Sequence, residues 1–405
     1  MGTRGRAQGE STGWTAPTEV EDALAEARER EDWDAYLAAL TRAELFVYVF
    51  KDQMDRGPVQ PRLYTRDGGW CLEVRTRGML LREPRKHLVA ARLPDPGRLW
   101  KRWKLSDADY VGLVVNPGTP VEAYFPGGRA LARRWHRLAR KSEPPPGENV
   151  LRTRRNGILT GPFAHGLACG AHLAVRNAVF WNDVGDVCLS YADDEEILRE
   201  LWGVTDHAGW REQLDHLLAG TNSPGEPEFV LGVRAELARL LPGTQVTAEQ
   251  WREAAFDCLV EAHDGAMREA ERRALRAVLT SVTGKILRYE ARFRADGLLP
   301  PSGRVRSALA YDYGRAVNVA RWGRGARLAT TMQAEEAVIR AGELCRETYD
   351  SWAELSAGYV LGRALRFDEE TFGEWYQSSL IQHRILTGDP VSPWRSLSFG
   401  TGAPL

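Results

Sequence analysis

Residues 141–147 read KSEPPPG, and no other stretch constrains the fold as strongly. Three consecutive prolines, Pro144 to Pro146, can join neither a helix interior nor a central strand. They stiffen the backbone as a polyproline II spacer. The run splits a chain of 405 residues into two differently patterned parts, and at ~150 residues per domain the length calls for two or three domains. Hydrophobic residues make up 43% and charged residues 27%, which excludes a disordered chain and allows a sizeable core. Lys+Arg (54) and Asp+Glu (55) cancel to a net charge of -1, which argues against a general polyanion binder. Fourteen Trp residues supply large aromatic anchors for packed domains.

Before the prolines, short β-rich runs alternate with helices. Residues 1–17 carry Arg4 and Arg6 but no apolar core, and are expected to be a disordered leader rather than a secretory signal. Residues 18–42 have helical spacing, with Thr18 as cap and Glu21 as its capping-box partner. Residues 44–50 (ELFVYVF) read as a buried strand. Residues 58–64 and 69–76 form a hairpin around Arg66-Asp67-Gly68-Gly69. Strands at 110–116 and 121–125 and a basic helix at 131–141 follow. This predicts an α+β N-terminal domain, 18–141, and a Pro-rich linker, 142–154.

Beyond the linker the period turns helical. Helices are expected at 167–181, 193–202 (capped by Asp193), 208–219, 229–241, 247–262, 266–293, 305–322, 331–362 with a break, and 368–386. The second domain, 155–399, is therefore predicted to be a large all-α domain. Apolar stretches of about 18 residues do not occur, so no membrane span is expected. Five scattered cysteines without a CxxC motif favour a reducing cytoplasm over a disulfide framework.

Two family resemblances attach to specific residues. Leu45 to Val49, Trp70 to Val74 and the VVNPGTPVEAY run from Val114 to Tyr124 make residues 18–141 similar to SseB-type domains. That likeness implies a small α+β module with protein contacts and no catalytic residues. Residues 166–186, 292–299, 310–323 and 351–367, with Ser392-Pro393-Trp394, resemble the bacterial family called domain of unknown function 1266. This likeness spans roughly 155–399 and implies no particular reaction.

Chemistry is concentrated in a few places. His165, Cys169 and His172 have H-x3-C-x2-H spacing, which on one helix would align three metal-ligating side chains, with Asp183 and Asp186 close behind. Core packing is the favoured reading, and no cofactor is expected. The densest polar cluster is Arg292, Arg294 and Asp296, followed by Tyr311, Asp312, Tyr313, Arg315, Asn318 and Arg321. Asp312, Arg315 and Asn318 are the catalytic candidates, and Arg292, Arg294, Asp296 and Arg321 the ligand-binding ones. Asp312 and Arg315 share a helix face, interleaved with apolar residues, so a partly buried ion-pair network is favoured over an anion-binding active site. Asp368, Glu369 and Glu370 read as the acidic start of a helix. His383 reads as a surface or core histidine. A basic-aromatic stretch includes Arg82, Arg85, Lys86, His87, Trp100, Lys101, Arg102, Trp103 and Lys104. It reads as a solvated face, and nucleic acid is disfavoured as a partner. P-loop, GxGxxG, GxSxG and HExxH signatures are absent. The expectation is a cytoplasmic, non-enzymatic protein-interaction or regulatory component with a protein partner, linked to secretion or intercellular competition. The alternative is an enzyme acting on an anionic or phosphorylated small molecule at Asp312/Arg315.

Overall fold

The computed structural model describes residues 14–56, 61–82, 84–93, 111–141, 147–185, 188–243, 246–262 and 267–405. Most of the expected leader, Pro144 to Pro146, Asp186 and the Trp100 to Lys104 stretch lie outside the described residues. The chain divides into two compact units, 1–145 with 154–157 and 146–153 with 158–405.

The first unit is a mixed sheet with helices. Helix α1 (Glu19–Glu29) starts at Thr18, whose hydroxyl accepts the Val20 N–H. The single helix expected over 18–42 breaks at Glu31, which takes a left-handed φ of 53°. Asp32 then caps α2 (Trp33–Thr41) by accepting the Ala35 N–H at 2.9 Å. Strand β1 (Leu45–Phe50) leads into the short helix α3 (Lys51–Met54). Strands β2 (Leu63–Arg66) and β3 (Gly69–Thr76) form the expected hairpin. Its two turn residues, Asp67 and Gly68, both have positive φ, the requirement of a tight hairpin turn. Strand β4 (Leu88–Leu93) was not foreseen: LVAARL lacks the aromatic and β-branched density that marks a strand. Strands β5 (Gly112–Val115) and β6 (Ala123–Phe125) complete a sheet ordered β4-β1-β3-β5-β6, with β2 pairing β3. The β3–β5 pair is parallel; the others are antiparallel. Helix α4 (Arg129–Ala139) buries Leu131, Ala132 and Trp135 and leaves arginines outward.

The second unit is helical: α5 (Gly161–Cys169), α6 (Ala171–Arg176), α7 (Tyr191–Trp202), α8 (His207–Leu218), α9 (Gly225–Leu240), α10 (Ala248–Ala262), α11 (Glu269–Ala295), α12 (Ala310–Gly325), α13 (Thr331–Thr348), α14 (Trp352–Phe367), α15 (Glu374–Gly388) and α16 (Pro393–Ser396). Among the described residues no helix is long and apolar enough to cross a membrane. Every residue of α12 is buried. It packs against α5, α6, α7, α8, α13 and α14. Glycine permits this closeness: a Cβ on Gly323 would sit 2.1 Å from Trp210 Nε1. The α5–α13 contact is equally tight, since a Cβ on Gly342 would lie 2.8 Å from Gly166 Cα. A second core, with Trp251, Phe256, Tyr289 and Phe293, lies among α9, α10, α11, α14 and α15.

Several helix ends differ from the sequence pattern. The run 167–181 is interrupted at Gly170, and its second helix ends at Arg176, two residues before Ala178, which has φ 49°. Helix α7 is capped by Ser190 rather than Asp193, which instead takes the third helical position and accepts the Ser190 hydroxyl at 2.8 Å. The run 331–362 breaks at 349–351, where Ser351 caps α14. Asp368 does not open a helix. Its carboxylate accepts the N–H groups of Phe372 and Gly373, both at 2.9 Å, and closes a loop in which Glu369, Glu370 and Phe372 have positive φ.

Candidate functional site

Helical spacing brings Asp312 and Arg315 together three residues apart on α12, where they form an ion pair. Their side chains are 1% and 6% exposed. Ser223, in the loop before α9, completes the node. Its backbone N–H donates to Asp312 Oδ2 at 3.0 Å and its hydroxyl to Oδ1 at 2.5 Å. Arg315 Nη2 reaches the Ser223 hydroxyl at 3.0 Å, and Nε donates to the Tyr311 carbonyl at 3.2 Å. The guanidinium lies over Tyr311, 4.0 Å from the ring centroid, and 5.5 Å from that of Trp202. Both charges are thus desolvated and matched, so the node holds the loop before α9 against α12.

The other candidates go elsewhere. Asn318 Nδ2 donates to the carbonyls of Gly314 (2.9 Å) and Gly170 (3.1 Å), tying α12 to the α5–α6 junction. Arg321 donates to the Phe180 carbonyl. Arg294 donates to the Gly303 carbonyl at 2.9 Å. Arg292 pairs with Asp296 at 2.7 Å at the end of α11, and Asp296 also accepts the Tyr376 hydroxyl at 2.5 Å. Arg294, Arg315 and Arg321 are therefore held by three different segments and do not converge on one anion.

The spaced metal candidates also part company. His165 Nδ1 is 4.0 Å from Cys169 Sγ, and its ring packs against Trp352 and Phe399. The break at Gly170 sends His172 to another partner set. Its ring stacks on Tyr359 with centroids 4.1 Å apart, and Nε2 is 3.1 Å from Ser356 Oγ. Ser356 Oγ is in turn 2.8 Å from His383 Nδ1. Burial holds all three imidazoles below their ordinary range: His165 to about 4, His172 to about 3 and His383 to about 4. Burial also pushes the Cys169 thiol up, helped by the neighbouring Cys345. Among the described residues no three His, Cys, Asp or Glu side chains are grouped to hold a metal.

Sequence reasoning missed a second buried ion pair, Arg234–Glu290, and the cavity beside Ser223. That cavity, of about 140 Å³, is lined by Ser223, Val282, Lys285, Leu309, Leu365 and Arg366 among others. The signal for Ser223 was weak: Ser-Pro marks a loop, not its partner.

No curated protein and no solved structure matches the chain. A family model does, over residues 197–399, under the description protein of unknown function (DUF1266). That span takes in α12, the Asp312 node and both buried ion pairs, but not the first unit or residues 155–196, where the sequence likeness had also been read. On that match, which covers half of its length, the chain belongs to the DUF1266 family.

Proposed function

We propose that the protein is a non-enzymatic interaction component whose helical unit receives a protein partner on an exposed aromatic surface. One observation carries the reading. Phe367, at the end of α14, and Trp375, at the start of α15, stack with centroids 4.9 Å apart while 39% and 42% exposed. The guanidinium groups of Arg176 and Arg363 lie 5.7 and 5.3 Å from the Trp375 ring centroid and hold it in place. Trp and Arg dominate the energetics of protein interfaces, and a ring already fixed loses little further entropy on binding. The sealing of Asp312 supports the non-catalytic half of the proposal, since a carboxylate enclosed by its partners offers no face to a reactant. The proposal extends to a reducing bacterial cytoplasm, which the scattered cysteines fit, and to a role beside secretion or intercellular competition, which rests on the resemblance to SseB-type domains alone.

The test is affinity capture with the full chain as wild type, Trp375→Ala and the control Met332→Ala, another exposed apolar residue. The expected result is a partner that binds the wild type and the control as a purified protein. Trp375→Ala should weaken that complex by about thirtyfold, the loss typical of a central Trp. A failure to capture any partner, or a complex indifferent to Trp375→Ala, overturns the reading.

A further inference from the structure

The cavity of about 140 Å³ beside Ser223 is walled by the start of α9, by α11, by α14 and by the residues leading into α12. Val282, Leu309, Leu365 and Pro224 give it an apolar body. A cavity of ~150 Å³ holds a molecule of benzene size, so the space suits a small ligand with a short hydrocarbon part.

The charges on the wall set the second constraint. Lys285 and Arg366 both line the cavity, and among the described residues neither is in an ion pair. Arg366 Nη1 donates to the Asn222 carbonyl at 3.0 Å, which leaves its other donors for a guest. Glu370, whose field reaches Lys285, is already bound by Arg288 through two hydrogen bonds. Two glutamates also line the space. Glu228 is engaged with the Ala308 N–H at 2.9 Å, and its burial disfavours the charged form. Glu226 is exposed. Arg366 is exposed like Glu226, and Glu228 is engaged, so Lys285 is the half-buried lining charge that makes no ion pair, with Arg366 at the mouth beside it.

We propose that this cavity is a binding site for a small monocarboxylate, its apolar tail among Val282, Leu309 and Leu365 and its carboxylate on Lys285 and Arg366. The site adjoins the Phe367–Trp375 surface, since the Arg366 guanidinium lies 5.5 Å from the Phe367 ring centroid, but its test reads small-molecule binding and not partner capture, so the two can fail separately.

The experiment is calorimetric titration of the full chain with hexanoate, hexanol and hexylamine, which share a tail and differ in charge. Hexanoate should bind at least about tenfold more tightly than hexanol, the worth of a charge-assisted hydrogen bond. Lys285→Gln with Arg366→Gln should remove that preference, and Lys285→Arg should keep it. Val282→Trp, which fills the cavity, should abolish binding of hexanoate and hexanol alike. The charge variants alter partly exposed side chains, so they decide the matter even if the Trp variant fails to fold. Absence of hexanoate binding to the wild type, equal affinity for hexanol, preference for hexylamine, or an undiminished preference in the double Gln variant overturns the proposal.

Discussion

Arg234 and Glu290 meet through two near-parallel hydrogen bonds of 3.1 and 2.7 Å, with side chains 7% and 1% exposed. Both also hold Val305. Glu290 accepts its N–H at 2.8 Å, and Arg234 donates to its carbonyl at 2.7 Å. The pair therefore joins α9 to α11 and pins the segment that enters α12. Removing one partner strands the other charge in the core, so Glu290→Ala should cost about 3–5 kcal/mol. Replacing both, as Arg234→Met with Glu290→Leu, should cost less than the single variant, because no unpaired charge remains. Urea unfolding of the three proteins checks this; a double variant less stable than Glu290→Ala would contradict it.

The Asp312 node should respond in graded fashion. Asp312→Ala deprives Arg315 and the Ser223 N–H of their partner and should destabilise by roughly 3 kcal/mol or more. Asp312→Asn keeps the shape and should cost less. Thermal melts of these two and Arg315→Leu are the measurement. If all three melt at or above the wild-type temperature, the node is a strained, empty ligand site rather than a structural one.

Two glycines should behave oppositely on substitution by alanine. Gly323 faces Trp210, whose indole N–H donates to the Val319 carbonyl at 3.0 Å, so Gly323→Ala must displace that ring and should cost about 1–3 kcal/mol. Gly232 sits exposed in the interior of α9, and a Cβ there meets nothing within 4 Å. Gly232→Ala should stabilise by roughly 0.5–1 kcal/mol through helix propensity. Denaturation midpoints that move in the same direction for both would refute the packing argument.

Stability should fall on mild acidification. Histidine titrates near about 6.5 in an unfolded chain, whereas His165, His172 and His383 are held to about 4, 3 and 4 when folded. Below pH about 6.5 the unfolded state takes up protons that the folded state refuses, so stability is full above that pH and declines as it drops toward 4. The summed loss is several kcal/mol, at about 1.4 kcal/mol per shifted pK unit. Urea midpoints from pH 7.5 to 4.5 should trace it. His165→Leu, which removes one such group from beside Trp352 and Phe399, should flatten the slope between pH 6.5 and 5; an unchanged slope counts against this origin.

What the sequence made legible was local. The Asp312–Arg315 pair follows from spacing on one helix, and the β2–β3 hairpin from Asp67-Gly68, which tolerate positive φ. What it hid was long-range. Ser223 lies 89 residues from Asp312, and nothing in either neighbourhood names the other. Arg234 and Glu290 sit on helices whose charges default to solvent, so their burial was not foreseen. The His165, Cys169 and His172 spacing pointed to one helix face only while the helix was assumed continuous; the break at Gly170 undid that geometry.

The enclosure of α12 bears on the order in which this protein takes shape during synthesis. Helices α5 to α8 precede it in the chain, and their apolar sides close on it. A nascent chain that has not yet delivered residues 310–325 has those sides made but nothing to bury them on. The first half of the helical unit must wait, exposed, until its centre emerges, and α13 and α14 can only then close the far side. A truncation that falls inside the helical unit before Gly325 should therefore leave α5 to α8 with their apolar sides uncovered.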